Sequence, residues 1–487
     1  MRISSIIPCV RNANGSGHEQ RRQTDGPGKD EVNRMNDFRK TAQEMLEFIR
    51  ISPTCFHAVA NIGRMLEAAG FQQLQEKEEW KLEKGGRYYT ERNDSSVIAF
   101  VIPEKEVGIR GFHMAAAHSD SPCFKIKEKP ELTVEKHYLR LNTEKYGGMI
   151  LSTWLDRPLS VAGRLAVKNG NGIEGRLVNI DRDLCVIPNV AIHMNREMNK
   201  GVEYNPQVDL LPLLADVSFD EYDAHTTYDA QTASENAEEQ PEAVEKPTLV
   251  ALAAETAGVD AETILGEDLF LYTRQEGKMI GAKGEFVLSP RLDDLQSAFA
   301  LTKAFTESTP AEYINLCAVF DNEEVGSGTR QGADSTFLED TLQRITEGLQ
   351  EGHSTYLRWV ADSFLISADN AHAVHPNHPE KADPANRPYL NGGIVIKYHG
   401  SQKYTTDGIS AARMKDYCER AKVPYQTYTN RSDIAGGSTL GNISTAHVSV
   451  SSVDIGLPQL AMHSAVETAG MKDTEYAVRA LKEFWGE

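Results

Sequence analysis

The chain has 487 residues, more than one hydrophobic core normally organises, so two domains are expected. Apolar residues make up 40% and charged residues 25%, the balance of a soluble globular protein, and no apolar run reaches the length of a membrane-spanning helix. A formal charge of −20 argues against nucleic acid and anionic membrane as partners, since both reward basic surfaces.

Residues 1–36 read as a disordered N-terminal extension. The stretch "MRISSIIPCVRNANGSGHEQRRQTDGPGKDEVNR" opens with a basic residue and a brief apolar patch, then turns polar and Gly-rich. It lacks the A-x-A exit of a secretory signal, and Met35 is an alternative start. Order is expected from "DFRKTAQEMLEFIR", where Phe38, Ala42, Met45, Leu46 and Ile49 keep a helical stripe, and "FHAVANIGRMLEAAG" continues in helical rhythm. The next landmark is "FHMAAAHSDSP", an apolar run that ends in His118 and Asp120.

From 122 to 267 the pattern changes. "LTVEKHYLRLN", "GRLAVKNG", "EGRLVNI" and "NVAIHM" are short strands between Gly, Asn and Asp turns, which suits a β-rich inserted domain. Within it, 222–247 is acidic, Pro-containing and nearly free of large aliphatics, so a solvated surface loop is expected there. The flanking pieces, 37–121 and 268–487, then form one discontinuous domain. In the second of these, helical stretches such as "DGISAARMKDYCERAK" alternate with apolar strands such as "YINLCAVF", "DSFLISAD" and "GGIVIKYHG". That alternation argues for an α/β sheet flanked by helices. The cysteines at 9, 55, 123, 185, 317 and 418 lie far apart without a CxxC pair, as expected of reduced, buried thiols in a cytoplasmic protein.

Acids and histidines gather where these strands end. "VLSPRLDDLQSAFA" presents Asp293 and Asp294 as a helical pattern begins, and "DNEEVGS" places Glu323 and Glu324 after an apolar strand. "SADNAHAVHPN" carries Asp369, His372 and His375, and "LAMHS" carries His463. Any one of these can be a cap or a solvated turn, but in open α/β sheets the binding crevice lies beyond the carboxyl ends of the strands. Imidazole and carboxylate without thiolate suit zinc, manganese or cobalt in a hydrolytic role. A bridging carboxylate with one His and one further carboxylate per ion holds two metals roughly 3.5–4 Å apart. Asp293 can bridge, with His118 and Glu324 on one ion and Asp369 and His463 on the other. Glu323 is then left unligated, free to take a proton from water.

The segments "HSDSP", "SPRLDDL", "DNEEVGS", "SADNAHAVHPN" and "LAMHS" resemble the signatures of the M18 metallo-aminopeptidases, the aspartyl aminopeptidases and their bacterial relatives. "YGGMILSTWLDRPLSVAGR" is similar to a further family segment, and the likeness runs from about Phe38 to the C-terminus. The resemblance implies a di-zinc exopeptidase-type fold interrupted by the β-rich domain, which serves assembly or acts as a lid in a tetrahedral homododecamer. It implies His118, Asp293, Glu324, Asp369 and His463 as ligands, Glu323 as general base and Asp120 orienting His118. "NVAIHMNR" resembles the segment through which a neighbouring subunit lends a histidine, here His193. Lys397, and with it His375, are expected at the substrate; the alternative for Lys397 is an ammonium reaching water at a strand end. Substrates are then peptides with a free N-terminus, with Asp or Glu preferred at the first position. One departure is Asp294, where the family usually has Asn; its carboxylate is expected to point away from the ions. The alternatives are another di-metal hydrolase, a deacylase or carboxypeptidase, or a non-catalytic assembly or cargo protein on the same scaffold.

Overall fold

Apolar runs from both flanking pieces of the chain meet in one nine-stranded sheet, in a computed structural model that describes residues 29–104, 108–216 and 248–487. The strand order is Gln72–Gln73, Arg87–Arg92, Ser96–Val101, Ile314–Phe320, Phe112–His118, Phe364–Ala368, Ser451–Gly456, Ile394–Tyr398 and Tyr425–Thr429. The strands from Ile314–Phe320 to Ser451–Gly456 are parallel, with Phe320 opposite His118 and Ala368 opposite Ile455. Their carboxyl ends therefore lie side by side.

Strands covered on both faces need continuous apolar sequence, and these have it. Ala115, Ala117, Cys317, Val319 and Ile366 feed one core, while Met114, Ala116, Leu316, Ala318 and Leu365 feed the other. The first core is closed by the helices Lys29–Arg50, Cys55–Ala68, Leu292–Thr306, Gly408–Ala421 and Asp473–Trp485. The second is closed by Phe337–Gly348, His353–Ala361 and Leu440–His447. The small alanines of Phe112–His118 leave room for Leu292–Thr306, which is buried almost all round. Each large aliphatic or aromatic side chain removed from water in these layers contributes about 1.5–3 kcal/mol.

The intervening segment forms a six-stranded antiparallel sheet in the order Gly172–Asn179, Leu159–Asn169, Ile264–Thr273, Cys123–Val134, Tyr138–Tyr146 and Leu213–Asp216. It has its own core, including Phe124, Leu141, Trp154, Leu165 and Leu269, closed by the helix Thr248–Ala257. The strand Ile264–Thr273 runs past residue 267, the boundary expected from sequence. A third sheet joins Lys278–Ile280, Phe286–Ser289, Glu467–Gly470, Pro458–Leu460 and Ala371–His372, strands too short to show a period in sequence.

Two expectations need correction. The first helix begins at Lys29, inside the stretch 1–36 expected to be disordered, and Met35 packs against the core ahead of Phe38. The polar first turns gave no apolar period by which to see it. "NVAIHM" forms turns rather than a strand, with Val190, Ile192 and Met194 exposed and without strand neighbours. Residues 1–28 and the acidic stretch 222–247 lie outside the described residues. Among the described residues no helix is long and apolar enough to cross a membrane.

Candidate active site

His118 is the last residue of its strand, Asp369 follows Phe364–Ala368 directly, and Glu323 and Glu324 follow Ile314–Phe320 after Asp321 and Asn322. The turns that carry the site are tight. Arg291, Asn322 and His463 take left-handed backbone conformations at φ 54°, 62° and 66°, and the Asp293–Asp294 peptide is cis. Left-handed residues other than glycine cost energy and concentrate at functional turns.

Asp293 lies between two imidazoles. Its Oδ1 is 3.6 Å from His118 Nε2 and its Oδ2 is 3.4 Å from His463 Nε2. Both rings are held from behind, which aims Nε2 at the centre. His118 Nδ1 donates to the Asp120 carbonyl at 3.1 Å, and His463 Nδ1 donates to the Gly148 carbonyl at 2.9 Å. Glu324 Oε2 stands 3.4 Å from His463 Nε2. Among the described residues there are three sets whose potential ligand atoms all lie within 4.8 Å of one another: His118, Asp293, Asp294 and Asp369; His118, Glu323 and Glu324; and Asp293, Glu324 and His463.

This grouping corrects the pairing expected from sequence, because Asp369 and His463 share no set. Asp369 shares a set with His118 and Asp293, and Glu324 shares one with His463 and Asp293. Asp294 is a second correction. It does not point away: its carboxylate belongs to the His118 set, and Oδ2 accepts the His118 backbone N–H at 3.2 Å.

The charges here are unbalanced without a cation. Burial lifts Glu323 to about 7 and Asp369 to about 6, in the latter case against the pull of Lys397. Burial and the charge of Asp293 raise Glu324 well above the ordinary carboxylate range. Burial also pushes Asp293 upward, but the flanking imidazoles outweigh it and hold this group well below its usual range. Burial works against charge on His463, yet Asp293 and Glu324 lift it to about 10. Asp293 Oδ1, Asp294 Oδ1 and Glu324 Oε1 are buried without a hydrogen-bond donor. Orphaned carboxylate oxygens converging with two imidazole nitrogens fit a divalent cation of the zinc, cobalt or manganese type.

Behind the ligands Asp120 acts as a hub. Its Oδ1 accepts the Glu323 N–H and its Oδ2 the Glu324 N–H, each at 3.1 Å, and Oδ1 stands 3.4 Å from His118 Nδ1. Lys397 is only 2% exposed; its Nζ lies 3.5 Å from Asp369 Oδ2 and donates to the Asn370 carbonyl at 3.1 Å. Its ammonium does not reach water. His375 lies in an exposed loop, where Nδ1 accepts the Asn377 N–H at 3.2 Å, and belongs to none of the three sets. His193 is exposed on the inserted domain and also stands outside them.

Sequence reasoning missed Glu467 and Tyr146. Buried Glu467 accepts the Asp293 N–H at 3.0 Å and the His463 N–H at 2.7 Å, so one carboxylate fixes the backbones of two ligands. Burial raises it to about 8. Tyr146 donates to Asp120 Oδ2 at 2.8 Å from the inserted sheet. Neither stands at a strand end of the central sheet, the signal that found His118, Glu323, Glu324 and Asp369.

Fold and site together define a metal-dependent hydrolase of the open α/β class. Residues 48–485 match the family described as aminopeptidase I zinc metalloprotease (M18). The chain is 46% identical over 448 residues to a probable M18 family aminopeptidase 2 of Clostridium novyi, covering 92% of this chain and 98% of that one. A protein of the same description from Pseudomonas putida is 40% identical over 442 residues, covering 91% and 97%. Among solved structures, Ape4 in complex with Nbr1 superposes with a TM-score of 0.86 at 36% identity, covering 93% of this chain and 86% of that one. The S. cerevisiae mApe1 dodecamer superposes with a TM-score of 0.76 at 25% identity, covering 92% and 97%. The chain belongs to the M18 family and is a metallo-aminopeptidase.

Proposed function

We propose that the chain removes the first residue from peptides with a free α-amine, using two divalent ions, zinc or in its place cobalt or manganese. The observation that carries this reading is Asp293 between His118 and His463, one oxygen toward each. His118 and Asp369 would hold one ion, Glu324 and His463 the other, and Asp293 both. When bound, the ions polarise the scissile carbonyl and lower the pKa of the attacking water. Glu323 lies in the His118 set but not with Asp293 and His463, and Asp294 Oδ2 is taken up by the His118 N–H, which supports Glu323 as the carboxylate for proton transfer. It accepts the proton of the attacking water and delivers it to the departing amine nitrogen. A carboxylate raised to about 7 by burial suits that exchange near neutral pH. The acidic groups around the centre would receive the substrate ammonium and confine cleavage to the first residue.

Assembly into a homo-oligomer is supported by the dodecamer formed by the similar mApe1, and the exposed Val190, Ile192 and Met194 suit a subunit contact. Through that contact His193 would reach a neighbour's site and hydrogen-bond the oxyanion. A preference for N-terminal Asp or Glu would rest on Lys397, whose ammonium, turned to Asp369 and Asn370 and 5.3 Å from the Tyr404 ring centroid, a substrate carboxylate would have to reach from beside Asp369. Free Cys55, Cys123, Cys185, Cys317 and Cys418 support a cytoplasmic setting.

The test is Glu323→Gln, assayed with aminoacyl and matching N-acyl substrates alongside metal analysis. Two ions bound, kcat lowered by about 10²–10⁴-fold and no wild-type cleavage of N-acyl substrates are expected. Near-normal kcat with both ions in place would remove Glu323 from the chemistry.

A further inference from the structure

The two halves of the site are built from different parts of the molecule. His118 and Asp369 belong to ends of the central sheet, and Lys397 of the same sheet supports Asp369. Glu324 also follows a strand of that sheet, but it and His463 are pressed against the inserted domain, where the strand Tyr138–Tyr146 ends in the sequence Tyr-Gly-Gly.

That end touches the second half at successive residues. Tyr146 donates to Asp120 Oδ2, the oxygen that accepts the Glu324 N–H, and itself accepts from Asn322 Nδ2 at 2.8 Å. Gly147 sits at φ +78°, and a Cβ there would stand 3.1 Å from the Glu324 Cβ, so the glycine permits both the turn and the close approach. The Gly148 carbonyl accepts from His463 Nδ1 at 2.9 Å and leaves Nε2 free toward Asp293 and Glu324. The contact continues outward: Ile150 N–H donates to the His463 carbonyl at 2.9 Å, and Ala465 N–H donates to Thr153 Oγ1 at 2.9 Å. The side chain of His118 is 1% exposed and that of His463 30% exposed, so His463 has less packing of its own to hold it in place.

The geometry points to Tyr146–Gly148 as a positioning segment for the Glu324–His463 half of the centre, so that the seating of the inserted sheet sets how tightly that half holds its ion. This rests on the two-ion reading above. Tyr146 touches no reacting atom and acts through Asp120; Gly148 acts through the tautomer and aim of His463. Outer partners of metal ligands are typically worth about 10–100-fold in affinity or activity.

The test measures stepwise zinc affinities of the full-length enzyme by competition with a chromophoric chelator. Glu324→Gln and Asp369→Asn assign which equivalent belongs to which half. Tyr146→Phe is expected to weaken the Glu324–His463 equivalent by about 10–100-fold and the other by clearly less, because Asp120 Oδ1 also faces His118. kcat at limiting zinc should fall with little change in KM, and excess zinc should restore it. Thr153→Val, which cuts the Ala465 contact without emptying space, should do the same more mildly and serves if Tyr146→Phe fails to fold. Unchanged affinities in both variants, or equal weakening of both equivalents, overturn the inference while leaving the two-ion enzyme standing. A wild type that binds fewer than two equivalents overturns the two-ion reading and this one with it.

Discussion

Replacing Lys397 by Met tests how the first half of the centre is held. The ammonium is nearly inaccessible, 3.5 Å from Asp369 Oδ2, and the substitution keeps much of the stem volume while deleting the charge. At an effective dielectric of about 20, opposite charges at that distance attract by roughly 5 kcal/mol, which desolvation partly offsets. Removing one member of a buried pair costs about 3–5 kcal/mol, because the other is left buried and uncompensated. In the metal-free protein this should lower Tm by roughly 3–5 °C if a chain of this size unfolds as one unit. With zinc bound the loss should be smaller, since the ion supplies the positive charge that Asp369 has lost. The assay is differential scanning calorimetry of wild type and Lys397→Met, each with chelator and with zinc. An unchanged Tm in the metal-free protein would refute the ion-pair argument. The same variant decides substrate preference. If the ammonium meets a substrate carboxylate, kcat/KM should fall about ten- to a hundredfold on Asp and Glu substrates and spare Leu and Ala. Equal losses on all substrates would make Lys397 a support for Asp369 alone.

Metal removal should also change the sign of the pH response. Glu323 at about 7, Glu467 at about 8 and Asp369 at about 6 are raised by burial, and His463 is lifted to about 10 by Asp293 and Glu324. Unfolded, these carboxyls titrate near pH 4 and the imidazole near 6.5, so between about pH 6 and 8 the folded chain holds more protons than the unfolded one. The metal-free protein should therefore lose stability as pH rises through that window, while zinc, which displaces these protons, should stabilise more at the upper end. A Tm that climbs with pH in the presence of chelator would contradict the assignment. For the trans histidine, His193→Ala and Glu323→Gln subunits that assemble but are inactive alone should regain part of the activity when co-assembled. No rescue in verified mixed oligomers would take His193 out of the neighbour's site.

The chemistry was legible because its residues follow strands whose sequences are hard to mistake. "YINLCAVF" and "FLISA" are continuous apolar runs, and parallel strands place whatever follows them at one edge of the sheet. His118, Glu323, Glu324 and Asp369 could be read that way. Asp294 was misjudged because nothing in the local sequence shows that its carboxylate belongs to the His118 set and accepts the His118 N–H. The pairing of ligands was also misjudged: order along the chain carries no information on which imidazole faces which oxygen of Asp293.

What sequence alone determined was the kind of chemistry and the class of fold, since both depend on residue type and local period. Hydrophobic runs of period suited to buried strands, and acids and imidazoles at their ends, are properties of single segments. Only the tertiary structure decided which segments touch. Glu467, at a short strand remote from the central sheet, holds the backbones of Asp293 and His463, and Tyr146 of the inserted sheet reaches Asp120. Asp293 and Glu467 are 174 positions apart and Tyr146 and Asp120 are 26 apart, each pair on different elements of the chain. Such contacts arise from how two sheets are seated on one another, and no local pattern of charge or apolarity encodes that seating.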